Sequence, residues 1–231
     1  MQGISSAFRA SVVLDQSRTT FLRKTYLHLL GAILALVAFE AYLFQSGVAL
    51  RVAQAVVNTN WLIVLAGFGI VSWLARSAAH KSRSKGVQYA ALAGYVVAWG
   101  LMLAPVLYIA QLKVGGGVIE SAAGITVVGF AALTGVVFVT KKDFSFMGSI
   151  LRWGGLCALG LIVAATIFGF NLGVFFSIAM IALAGGSILF DTHNVLTHYE
   201  HDRYVGASLE LFASIVMLFW YVLRLLMRSR N

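Results

Sequence analysis

From Trp153 to Phe190 the chain runs 38 residues without one charged side chain. A helix needs about 20 apolar residues to cross a bilayer core, so this run is too long for one crossing and nearly long enough for two. Close to its middle stands "GFNLG" at 169–173, glycine and asparagine chemistry that breaks a helix. The run therefore predicts a tight helical hairpin inside a membrane.

Further apolar runs precede and follow it. Seven apolar stretches are long enough to span, roughly 25–45, 59–76, 87–111, 118–140, 149–170, 172–198 and 203–227. Composition agrees: 60% of the 231 residues are hydrophobic and 11% charged, where a soluble domain carries about 25% charged residues. The expected fold is all-α, an integral membrane protein of seven transmembrane helices in a single domain over 21–231. Residues 1–20 are mixed polar and lack an apolar core followed by a small-residue cleavage site, so they read as an uncleaved cytoplasmic tail. Pro105 in "WGLMLAPVLYIA" predicts a kink in the third helix, where neighbouring helices must re-satisfy the backbone. A single Cys157 in an apolar stretch excludes an intramolecular disulfide and a zinc-finger or redox-pair reading.

The formal charge of +9 comes from basic residues in short clusters between the apolar runs. There they act as topology signals and attract anionic headgroups, which points to lipid and away from nucleic acid. With the N-terminus in the cytoplasm, the inner segments hold Arg9, Arg18, Arg23, Lys24, Arg76, Lys81, Arg83, Lys85, Lys141, Lys142, Arg152 and Arg203. Arg51, Lys113, Arg224, Arg228 and Arg230 are left outside. The bias favours this orientation, against the basic ending "RLLMRSRN", which a re-entrant seventh segment would bring inside.

Acidic residues are rare in the apolar stretches, which makes "GGSILFDTHNVLTHYEHDRYVGASLELF" at 185–212 the segment to explain. An ionised carboxylate in hydrocarbon needs a partner, water or a proton. With the last turn centred near residue 201, Asp191 lies about 10–12 Å inside the sixth helix at about 1.5 Å per residue. The same depth in the seventh helix falls between Glu210 and Ser214. Arg76 closes the second helix on the same side of the membrane and is the natural counter-ion for Asp191. Two facing carboxylates in a low dielectric cannot both ionise cheaply, so their titration belongs to the pair. Such a site has two states: latched when Asp191 is ionised and paired to Arg76, open when protons or a cation compete for the carboxylates.

"FDTHNVLTHYEHDRYVGASLELFASIVMLFWYVLRLL" resembles the C-terminal signature of the Bax inhibitor-1 family, and "KKDFSFMGS" and "GLMLAPVL" are similar to two further family segments. The resemblance covers the chain from about residue 20. It implies a seven-helix fold with the last helix central, and a pH-sensitive calcium leak gated by an aspartate on each of the last two helices, with an arginine of the second helix as latch. Asp191 matches the first aspartate and Arg76 the arginine. The second aspartate's position is Ser214. Glu210, one turn earlier and about 400° round the helix, lies on nearly the same face. Either Glu210 substitutes for the missing acid, or the site works as Asp191 with Arg76 alone.

His193, His198 and His201 cluster near Asp191 without the two-histidine helical spacing of a zinc hydrolase. They read as solvated interfacial side chains, with His193 and His198 as proton-responsive modulators the second reading and no metal expected. Glu40 and Glu120 fall near the outer ends of their helices, where they snorkel to the interface or line an outer vestibule for cations. No Ser, His and Asp set supports nucleophilic catalysis, so no enzyme and no cofactor are expected. Calcium enters only as the permeating ion, since two or three acids offer fewer than the six to eight oxygens that tight storage takes. The alternative function is an interaction protein that modulates a membrane-bound protease or stress-response partner. The short loops suit a bacterial inner membrane.

Overall fold

The computed structural model describes residues 2–115, 117–140 and 142–229. Its elements are α1 (Gln2–Gln45), α2 (Val48–Val57), α3 (Trp61–Lys81), α4 (Lys85–Lys113), α5 (Val118–Thr140), α6 (Met147–Phe168), α7 (Gly173–Thr197) and α8 (Tyr204–Ser229). Seven are long and apolar enough to cross a membrane: α1 from Gln16 onward, and α3 to α8. The chain is an all-α integral membrane protein. Lys141 and Arg230, two of the residues in the charge bias, lie outside the described residues, as does the Arg9 side chain.

The charge-free run folds as the hairpin its length requires. Gly169 closes α6 in the left-handed region at φ +72°, its N–H on the Ala165 carbonyl at 2.9 Å, and Gly173 turns at φ +71° into α7. A residue with a Cβ adopts that conformation only with strain, so the glycines fix where the chain reverses.

α8 is apolar nearly all round, the pattern of a helix enclosed on every side. It occupies the centre, packed by α1, α3, α4, α5 and α7. α1 turns inward a seam of residues three and four apart, in which Phe21, Thr25, Leu29, Ala32, Leu36, Glu40 and Leu43 are all buried, Leu43 against α2 and α4. α8 is one unbroken helix of 26 residues. At about 1.5 Å per residue it is long enough to cross a bilayer as a single span.

Three features add to the sequence reading. The segment expected as a tail is helical from Gln2 and continuous with the first span; from Ile4 to Leu30 it holds no Gly or Pro, and polarity alone does not stop a helix. The loop after α1 contains the short helix α2, whose Ala49 is buried in a cluster with Leu43 of α1 and Ala104 of α4. α3 continues past Arg76 to Lys81 because "SAAHK" contains no breaker. Pro105 is buried within α4, which continues through it.

Candidate functional site

The site lies where α3, α7 and α8 meet near the loop between α7 and α8. Basic side chains from other elements hold the ends of two of these helices. Arg18 of α1 donates to the carbonyls of Val195, in the last turn of α7, at 2.6 Å and of Tyr199, just beyond it, at 2.8 Å. Arg203, just before α8, donates to the carbonyls of His80 at 3.0 Å and Ser82 at 2.8 Å, which close α3. Guanidinium groups at helix C-termini satisfy orphan carbonyls and complement the helix dipole. Lys85 donates to the Asp202 carbonyl, joining α4 to the same loop.

Within this frame the two acids take different partners. Ser214 of α8 donates its hydroxyl to Oδ2 of Asp191 on α7 at 2.5 Å. Glu210, one turn towards the start of α8, receives Nη1 of Arg76 at 3.0 Å on Oε2 and Nε2 of His80 at 2.9 Å on Oε1. Charge-assisted contacts of this length are about twice as strong as neutral hydrogen bonds. Glu210 keeps 16% of its side chain exposed and Arg76 47%, so the pair is anchored in protein at the acid and open at the base. Asp191 lies within electrostatic range of Glu210, Arg76 and His80. Gly206 makes room for this approach of α3 to α8: a Cβ there would stand 3.2 Å from Nδ1 of His80 and 3.3 Å from the Ala79 carbonyl.

Tyr199 covers the cluster from the loop, its ring 5.9 Å from that of His80 and 6.5 Å from Phe21. Burial pushes its phenol far above the ordinary range, and the charges of Glu210 and Asp191 push it further. A second polar tie lies beside the first. Nε2 of His193 stands 3.1 Å from Oδ1 of Asp143 and 3.3 Å from the Ser145 hydroxyl, binding α7 to the loop between α5 and α6. The side-chain and backbone groups of Ser145 hold the Asp143 carboxyl below its ordinary range, with His193 and His198 acting in the same sense. That contribution is complete above the ordinary carboxylate range and is lost as pH falls through the lowered value.

Several sequence expectations change here. Arg76 pairs with Glu210, and no ion pair joins it to Asp191; α3 packs on α8, which brings its face to the acid of that helix. His193 is buried at 8% exposure, not solvated, because it faces the loop before α6. His198 is exposed, its ring on the Thr197 hydroxyl, and His201 is exposed with its ring edge on Phe21. Glu40 does not snorkel. It occupies the buried seam of α1 at 8% exposure, with neither carboxylate oxygen hydrogen-bonded, whereas Glu120 is exposed in the first turn of α5. Sequence reasoning missed His80. It stands four residues after Arg76, on the same helical face, but a helix ended at Arg76 hides that spacing. Tyr199, Arg18 and Arg203 carried no local signal.

A family model described as inhibitor of apoptosis-promoting Bax1 matches residues 18–231. The chain belongs to the Bax inhibitor-1 family. An uncharacterized protein of Campylobacter jejuni is 28% identical, covering 96% of this chain and 90% of its own length. The modulator of FtsH protease YccA of Escherichia coli strain K12 is 32% identical over 55% of the chain and 58% of its own length. A Golgi anti-apoptotic protein of vaccinia virus strain Lister is 27% identical over 71% of the chain and 68% of its own length. In this member of the Bax inhibitor-1 family position 214 is serine, and Glu210 lies one turn earlier on α8.

Proposed function

We propose that this protein is a pH-sensitive cation leak, with calcium as a permeating ion, gated at the contact of α3, α7 and α8. The observation that carries the reading is the pair of acids held on adjacent helices, about a helical turn apart: Asp191 on the Ser214 hydroxyl, Glu210 on Arg76 and His80. While both acids are ionised, Glu210 fastens α8 to α3 and Asp191 fastens α7 to α8. Protons or a divalent cation compete with Arg76 and Ser214 for the same oxygens and loosen both contacts. Each 1.4 kcal/mol removed from the closed state raises the open fraction about tenfold, so the loss of one such contact suffices for a graded leak. No group in this scheme performs covalent chemistry. The orientation favoured by charge places the gate at the cytoplasmic face of an inner membrane.

The test is calcium flux into proteoliposomes over a pH series. Wild-type flux is expected to rise as pH falls, and Asp191→Asn, which cannot ionise, to flatten the dependence. Flux indifferent to pH in both proteins would end the gating claim.

A second reading follows from the relative described as a modulator of FtsH protease. On this reading the chain restrains a membrane-bound protease through the part of α1 that precedes the span from Gln16. Deleting residues 2–15, which leaves Arg18 in place, should abolish co-purification of the protease and preserve ion flux. Retained co-purification would exclude that surface.

A further inference from the structure

On the membrane face opposite the acidic cluster, α3, α4, α6 and α8 enclose a cavity of about 310 Å³, lined by Trp61, Phe68, Trp99, Phe170, Trp220 and Arg224 among others. A second cavity of about 390 Å³ shares Trp61, Trp220 and Arg224 with it and adds Lys113 and Arg228. No acidic residue lines either one. Among the described residues none of the three basic side chains forms an ion pair.

We infer that these adjoining cavities bind one anionic phospholipid, its phosphate on Arg224, Arg228 and Lys113 and an acyl chain in the aromatic cavity. Charge and position both favour this occupant. Guanidinium groups match phosphate oxygens in a bidentate fork, and basic pockets between transmembrane helices suit acidic headgroups. The three cations stand on the face poorer in Lys and Arg, where topology alone disfavours them, so a local counter-anion accounts for their placement. Paired tryptophans at an interface are amphipathic and suit the boundary between headgroup and chain. α3 and α6, which wall the aromatic cavity, are the most peripheral spans, with 11% and 6% of their apolar windows buried. The gap between them therefore faces the bilayer, from which a lipid enters sideways. The assignment does not rest on the gating proposal.

The test uses the full chain, delipidated in a maltoside detergent, with its melting temperature followed against added phosphatidylglycerol, phosphatidylcholine of the same chains, and inorganic phosphate. Phosphatidylglycerol should raise it saturably by several degrees, and the other two should not. Arg224→Gln with Arg228→Gln should weaken the apparent affinity about tenfold per guanidinium, the loss of one charge-assisted hydrogen bond each. Arg23→Gln, exposed on the opposite face, should leave it unchanged. An equal response to phosphatidylcholine, a response to free phosphate, or an unaltered response in the double variant overturns the assignment. Should that variant fail to fold, the wild-type protein decides with brominated lipids: tryptophan quenching must saturate at lower phosphatidylglycerol than phosphatidylcholine, and equal curves overturn it.

Discussion

Arg76→Gln is expected to cost the purified protein about 1–3 kcal/mol of stability, and most of that cost should vanish when Glu210→Gln is made with it. Removing the guanidinium leaves a largely enclosed carboxylate with His80 as its remaining partner at 2.9 Å. Breaking a fully buried pair in this way costs about 3–5 kcal/mol, but the Arg76 side chain is 47% exposed, so screening reduces the figure. The double variant removes the stranded charge as well as its partner. A double-mutant cycle on melting in detergent should therefore give a coupling of about 1–2 kcal/mol. Strict additivity would mean that the 3.0 Å contact contributes nothing to holding α3 on α8. Arg76→Lys should recover part of the loss, because a lysine carries the charge without the planar fork.

Ser214→Ala should destabilise by about 1–3 kcal/mol, far more than a surface serine would, since it strips a carboxylate of its direct donor. The hydroxyl lies 2.5 Å from Oδ2 of Asp191, and Ser214 is 6% exposed, so water has little room to replace it. Ser214→Thr keeps the donor and is the control. A melting temperature for Ser214→Ala equal to that of Ser214→Thr would show that Asp191 does not depend on this contact.

The site was only half legible in the sequence, and the division has a physical cause. Asp191 and Ser214 were brought to one level by counting rise along two antiparallel helices joined by a short polar turn, which local geometry alone allows. Arg76 was found as the base on the correct side of the membrane, but its partner depends on which helix α3 packs against. His80, four residues later, was out of reach once the helix was ended at Arg76. Glu40 was misread for a similar reason: depth along a helix is readable from sequence, but whether its face meets lipid, water or a neighbour is not.

Length, apolar spacing and the scarcity of charge were enough to determine seven crossings, the hairpin at Gly169 and Gly173, and the membrane itself as solvent. These follow from the cost of placing polar groups in hydrocarbon, which acts on each segment separately. Which acid meets which base, that Arg18 and Arg203 close α7 and α3, and that Lys113, Arg224 and Arg228 gather beside two tryptophans was decided only by tertiary structure. Such contacts join residues as far as 181 positions apart. They depend on how helices rotate and pack around α8, and no local run of sequence encodes that.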